Sequence, residues 1–379
     1  MSICYKVFVA LTSILILVVG CREADPASPT PVPATSTSVP PTTETTYTSV
    51  WPETAFTSPL ASTSPIEPTV ESRTDDLSEE EAATLGSLEQ VDEHPLYTMH
   101  YYGAYDERVS STTGSPPTWA CSLFAALGDA DNMLYGRNFD WEFSPALLLF
   151  TDPPGGYASV SMVDIAYLGF EGDAASGLTE LPLVERQALL DAPRMPFDGM
   201  NERGLVISMA AVSPGDMQPD PDKETTGSLR IIRKMLDRAS NVDEALAIMQ
   251  SYNIDMTGGP PLHYLIADAS GRSVLVEFYQ GEMVVTPNET AWHLATNFVR
   301  ASVDDPADGN CWRYDEVSQR LADAKGQLST QDAIDLLADV SQEITEWSIV
   351  YGISTGEINV SMGRQYDDVH TFHLSLAGE

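Results

Sequence analysis

A thiol, a guanidinium and a carboxylate stand close together in this chain: Cys121, then Arg137 and Asp140 sixteen and nineteen residues on, within Gly-Arg-Asn-Phe-Asp-Trp. A cysteine attacks as the thiolate, so it needs a cation that favours the ionised form and a group that accepts the proton. Cys121 opens a strand-like run ending at Leu127, and Gly128 to Asn132 form a turn leading into Leu134 to Trp141, which reads as a β-hairpin. Centred near residues 130 and 131, the hairpin sets Cys121 opposite Asp140. Strict alternation then turns Arg137 to the other side, so a bulge or strand end is needed to bring it to the thiol.

Further polar residues fall at suggestive places. Asn201 lies in Gly199-Met-Asn-Glu-Arg-Gly-Leu205, which also reads as plain turn chemistry with Gly204 at positive φ; Asn297 follows Thr296, and Arg313 stands at a helix start. Of the four cysteines, Cys4 lies in an apolar leader and Cys21 at its end, leaving Cys121 and Cys311 for the folded part. One disulfide between them is the structural alternative to a reactive thiol. Otherwise Cys311 serves as a small buried hydrophobe. The six His show no H-E-x-x-H or Cys-x-x-Cys spacing, and no phosphate-cradling glycine loop is present, so no metal, nucleotide or other cofactor is implied. A formal charge of −37 excludes a nucleic-acid role, because no segment supplies a basic patch.

Taken in order, Cys121-Ser, Arg137 and Asp140, Gly199 to Leu205, Thr296-Asn297 and Trp347-Ser-Ile-Val-Tyr351 resemble the choloylglycine hydrolase superfamily of N-terminal-nucleophile, linear amide C–N hydrolases. That group includes penicillin V acylase, acid ceramidase and isopenicillin N acyltransferase. The resemblance runs from Cys121 to the C-terminus. It implies an α+β fold, a four-layer αββα sandwich of antiparallel sheets. It also implies self-cleavage of the Ala120–Cys121 bond, which frees an α-amine as the base beside the thiol nucleophile. In that scheme Asp140 holds the ammonium form, Arg137 favours the thiolate, Asn201 and Asn297 polarise the substrate carbonyl, and Arg313 lies near the thiol.

The rest of the chain positions that centre. Residues 1–20 read as a lipoprotein signal peptide: Lys6 is the only charge, and Val7 to Val19 is too short an apolar run to span a bilayer. Cys21 follows it as the lipidation site, which predicts an extracytoplasmic location on a bacterial envelope membrane. From Arg22 to Ser72, 30 of 51 residues are Pro, Ser or Thr, so 21–73 reads as a disordered tether. Residues 74–120 form a propeptide or small subunit, with a helix over Leu77 to Val91 and a strand over Leu96 to Tyr105, and 121–379 form the catalytic domain.

In that domain, strands are expected at Cys121 to Leu127, Met133 to Phe139, Ala146 to Thr151, Tyr157 to Tyr167 and Leu205 to Ala211. Helices at Ser228 to Ala239 and Val242 to Tyr252 follow, the second capped by Asn241 with Glu244. Later strands are expected near 262–268, 273–279, 282–286 and 292–296, helices near 314–324 and 330–344, and closing strands near 348–352, 357–362 and 370–376.

The resulting expectation is a lipid-anchored amidohydrolase that takes a small-molecule N-acyl amide or conjugated acid through a cysteine thioester. After cleavage, the 21–120 fragment stays paired non-covalently with the 121–379 chain. Acyl transfer by the same acyl-enzyme, and an uncut lipoprotein that merely binds an acylated ligand, are the alternatives.

Overall fold

The computed structural model describes residues 77–105, 120–141, 143–212, 218–307, 309 and 311–378. The signal peptide, Cys21 and the tether lie outside the described residues, as does the segment 106–119 directly before the proposed cut.

Two sheets carry the domain. The larger runs in the order β1 (Glu89–Asp92), β2 (Leu96–Tyr101), β5 (Ala146–Thr151), β6 (Ser159–Asp164), β7 (Asp198–Asn201), β8 (Val206–Ala211), β11 (Leu262–Ala267), β12 (Ser273–Tyr279) and β13 (Glu282–Pro287). The smaller runs β14 (Trp292–Ala295), β3 (Ala120–Ala126), β4 (Leu134–Asp140), β15 (Thr345–Gly352), β16 (Glu357–Met362) and β17 (His370–His373). A separate pair joins β9 (Glu224–Gly227) to β10 (Tyr252–Asp255) in parallel. Within the two large sheets every pairing is antiparallel except β2 with β5.

Alternation along the strands builds the layers. On β3, Cys121, Leu123 and Ala125 face the core between the sheets, while Phe124 and Ala126 face a second core beneath helices α4 (Trp312–Asp323) and α5 (Thr330–Asp339). Helices α2 (Arg230–Arg238) and α3 (Val242–Gln250) cover the outer face of the larger sheet, Leu236 closing on Gly199. The helix–sheet–sheet–helix order is the expected α+β sandwich. Its strands are apolar on both faces because both faces are covered, and Leu147 and Leu149 point to a third cluster under α1 (Glu79–Gly86) and the 3₁₀ segment Leu183–Arg194.

Several boundaries differ from expectation. The helix expected over 77–91 is only Glu79–Gly86, opened by a capping box between Ser78 and Glu81 and closed at Ser87; the chain then turns into β1. Asn241 caps α3 by accepting from Glu244 N, but Glu244 reaches back to Ser240 instead of completing the box. The expected strand over 96–105 is β2, hydrogen-bonded to β5 over Leu96–Tyr101, so residues ahead of the thiol are built into the larger sheet. Among the described residues no helix is long and apolar enough to cross a membrane.

Candidate active site

Cys121 sits one residue inside the start of β3 and is fully buried. The hairpin register pairs Ala120 with Asp140 and Cys121 with Phe139, so its centre is residue 130. This corrects the expectation that Cys121 lies opposite Asp140. A slip of one residue reverses every facing, because side chains alternate. Cys121, Phe139 and Arg137 therefore share the face between the sheets, and Arg137 Nη2 lies 3.9 Å from Cys121 Sγ without any bulge in β4. The bulge in this region is in β15, between Thr345 and Trp347, opposite the end of β4.

Asp140 points to the other face. Thr345 Oγ1 donates to it at 2.5 Å, Gln342 Nε2 donates as well, and the Arg313 guanidinium lies 3.9 Å away. From α4, Arg313 donates to the Cys121 carbonyl, to Ser122 Oγ at 3.0 Å and to Asn297 Oδ1 at 2.9 Å. Asn297 Oδ1 also accepts from Cys121 N at 2.6 Å, while Asn297 Nδ2 donates to Ala211 O. Cys121 is thus held from two sides: its side chain meets Arg137 between the sheets, and its main chain meets Asn297 and Arg313.

The structure does not bring Asn201 to the thiol. Its Nδ2 donates to Leu236 O and Ala239 O, at the end of α2, and its Oδ1 accepts from Arg203 N and Leu205 N. That is the turn chemistry, completed by Gly204 at φ +72°. Cys121 and Cys311 are both free, so the disulfide alternative is not realised. Cys311 is half-buried and 3.3 Å from Thr296 Oγ1, and it lines a cavity of about 300 Å³ with Asn297 and Arg313. It is therefore only partly the small buried hydrophobe expected, packed against the core beneath α4 and α5 but not sealed within it. Phe298, Val303 and Pro306 make that cavity largely apolar, with Asp305 beside them.

Two residues of this centre were missing from the sequence reading. Asp198 pairs with Arg137, both fully buried, and Tyr351 donates its hydroxyl to the same carboxylate. Asp198 directly precedes the Gly199-Met-Asn segment and Tyr351 is the last residue of Trp347-Ser-Ile-Val-Tyr, so the signal lay one residue before the first motif and inside the second, where no role was assigned to it. The Arg137 guanidinium also lies over the Phe139 ring, 4.9 Å from its centroid.

Burial dominates the electrostatics. It pushes the Cys121 thiol above its ordinary value; Arg137 and Arg313 pull it down, and Asp140 adds to the rise. Burial also raises Asp140, against hydrogen bonds from Thr345 and Gln342, and raises Asp198 against the Arg137 charge. Burial works against the charge on Arg137, yet Asp198 and Cys121 hold its pKa above the ordinary value. The arrangement thus sets a thiol whose ionisation burial opposes beside a fixed cation that favours it, with the Cys121 nitrogen bound to a side-chain oxygen.

Residues 121–297 match the family described as linear amide C–N hydrolases, choloylglycine hydrolase family. An uncharacterized protein of Paramecium bursaria Chlorella virus 1 is 33% identical over 101 residues, covering 24% of this chain and 36% of that protein. The chain thus spans little more than a third of that curated relative. Among solved structures, penicillin V acylase from Agrobacterium tumefaciens is similar at 16% identity and TM-score 0.47, covering 67% of this chain and 86% of that one. A mutant of the conjugated bile acid hydrolase from Clostridium perfringens gives 16% and 0.48, covering 67% and 92%. The Caenorhabditis elegans N-acylethanolamine-hydrolyzing acid amidase ortholog gives 14% and 0.42, covering 67% and 100%.

Proposed function

We propose that this chain, whose residues 121–297 match the linear amide C–N hydrolases of the choloylglycine hydrolase family, is an amidohydrolase with Cys121 as nucleophile, activated by cleavage of the Ala120–Cys121 bond. The observation that carries this reading is the double hold on Cys121: Arg137 at its sulfur and Asn297 at its nitrogen. Once the bond is cut, that nitrogen is an α-amine with an ordinary pKa of about 7.7 to 8.0, suited to take the thiol proton. Asn297 Oδ1 keeps the amine oriented beside the sulfur. The Arg137 charge offsets the burial of a thiolate, and Asp198 fixes the guanidinium. Sulfur then attacks the amide carbon, the ammonium returns its proton to the departing amine, and water releases the acid from the thioester. Asp140 stabilises the charge of Arg313 on the far side of the strand. In this scheme Asn201 shapes the turn after β7 and takes no part in the chemistry.

The substrate is a small N-acyl amide, its apolar part lodged in the cavity walled by Phe298, Val303 and Pro306. The N-terminal sequence extends the reading: a signal peptide, lipidation at Cys21 and a tether over 21–73 place the enzyme on the outer side of a bacterial membrane. After the cut, the fragment ending at Ala120 stays docked through β2.

Intact-mass analysis and N-terminal sequencing of the protein from a bacterial envelope, beside Cys121→Ala, test the first step. A chain beginning at Cys121 in the wild type alone, with amine release from a panel of N-acyl amides, is the expected result. An uncut chain in both removes the base from this mechanism and favours simple ligand binding.

A further inference from the structure

Two fully buried ionisable side chains have no place in the chemistry described so far: His263 on β11 and Glu277 on β12. Tyr264 sends its hydroxyl to Ser228 O, just ahead of α2, so alternation turns His263 the opposite way, into the space between the sheets. There His263 Nδ1 lies 3.3 Å from Glu277 Oε1. Where only stability is at stake, well-packed apolar residues of similar volume often serve as well as a buried pair of this kind, or better. What the pair grips gives it a different use.

Its main-chain contacts all fall on one segment. His263 Nε2 donates to Thr296 O at 2.8 Å; a carbonyl only accepts, so that nitrogen carries a proton. Glu277 Oε1 accepts from Arg300 N at 2.6 Å, and Oε2 accepts from Ala301 N at 2.8 Å. Arg300 Nη1 then reaches on to Val303 O at 3.0 Å. Strand β14 ends at Ala295, so residues 296–301 run beyond the ladder that joins β14 to β3. This segment carries Asn297, whose Oδ1 accepts from Cys121 N, and Phe298, which walls the cavity beside Arg313. Two side chains of the larger sheet thus hold the chain leaving the smaller sheet on both sides of Asn297.

We propose that His263 and Glu277 are positioning residues, which fix residues 296–301 so that Asn297 Oδ1 stays on the Cys121 nitrogen and Phe298 stays in the cavity wall. The proposal rests on the amidase reading and adds two residues to it. They act through Asn297 and not on the substrate. The hold is stiff because opening it leaves polar groups buried without partners: a carboxylate, an imidazole nitrogen and two main-chain N–H groups. Stiffness matters at this place, since a shift of about 1 Å in a group that orients the reacting atoms is enough to slow a reaction severely.

The test is a double-mutant cycle on the full chain, with cleavage before Cys121 followed by mass spectrometry in the wild type, Glu277→Gln, Asn297→Ala and the two combined. Glu277→Gln keeps the volume but sets an NH₂ group against main-chain N–H groups, and it should slow cleavage about tenfold. In the Asn297→Ala background the same change should add nothing, because its effect runs through Asn297. A general loss of stability would instead slow both backgrounds alike. His263→Asn, too short to reach Thr296 O, should repeat the pattern. Deuterium exchange over residues 296–303 in the Cys121→Ala chain reads the hold without any cleavage, and adding Glu277→Gln should speed it. Additive losses in a wild type that is cut, or exchange unchanged by Glu277→Gln, overturn the positioning role alone. A wild type that stays uncut refutes the amidase reading, and the positioning role with it.

Discussion

Asp198 and Arg137 form a buried pair behind a thiol, and the proposed mechanism rests on that cation staying in place. Replacing Asp198 by Asn keeps the volume but leaves Arg137 buried and uncompensated, a change that costs about 3–5 kcal/mol when a buried partner is removed. Denaturant unfolding should show a loss of that order, and conversion of the chain at Cys121 should slow with it. Asn297→Ala removes the acceptor of the Cys121 nitrogen; mass spectrometry over time should show cleavage slowed at least about tenfold, and an unchanged rate would exclude Asn297 from that step. Cys121, Arg137 and Asp140 were legible in the sequence because they fall on one hairpin, where spacing and pairing are nearly the same thing. Their facing was not, since it turns on a single residue of register. Asp198 was invisible as a partner because it meets Arg137 across two sheets, and no local periodicity encodes a contact between strands 61 residues apart.

At the scale of elements, the long apolar strands and the four larger helices were readable, whereas four-residue strands such as β7, β9 and β10 were not. In β7 two of the four residues, Gly199 and Asn201, read as turn formers; Gly199 is there because a Cβ would meet Val160 O at 2.6 Å. Helix α5 ends at Asp339, short of the expected 344, and the chain enters β15 at Thr345 to reach Asp140. Gly136 gives the sharpest test of strand packing. A Cβ built there would stand 2.2 Å from the Phe124 ring, in the core beneath α4 and α5. Gly136→Ala should destabilise by about 1–3 kcal/mol through overpacking, and Gly136→Ala combined with Phe124→Leu should recover part of that loss. Thermal unfolding of the two variants compares them directly, and an undiminished Gly136→Ala would mean the β3–β4 layer yields more easily than its packing suggests.

For the molecule as a whole, buried Asp164 and half-buried His293 tilt the pH dependence of stability in opposite directions. Burial raises Asp164 to about 7, so its contribution is complete below the ordinary carboxylate range and is lost as pH climbs through about 7. Burial, with the Arg300 charge, lowers His293 to about 4, so its contribution is present above about 6.5 and is lost as pH falls toward 4. Relative to the wild type, Asp164→Asn should therefore gain unfolding temperature as pH rises toward neutrality, and His293→Gln should gain as pH falls. Parallel curves for variant and wild type would refute the assignment. The seam between β2 and β5 has a different consequence for the whole molecule. Without β1 and β2, the next strand, Ala-Leu-Leu-Leu-Phe-Thr, would offer six residues of unpaired backbone and a row of aliphatic side chains to any passing chain. Strands β1 and β2 are thus the selvedge of the larger sheet: were the chain cut before the cysteine, a new terminus would be freed, but shedding these strands would leave a sheet that ravels into its neighbours.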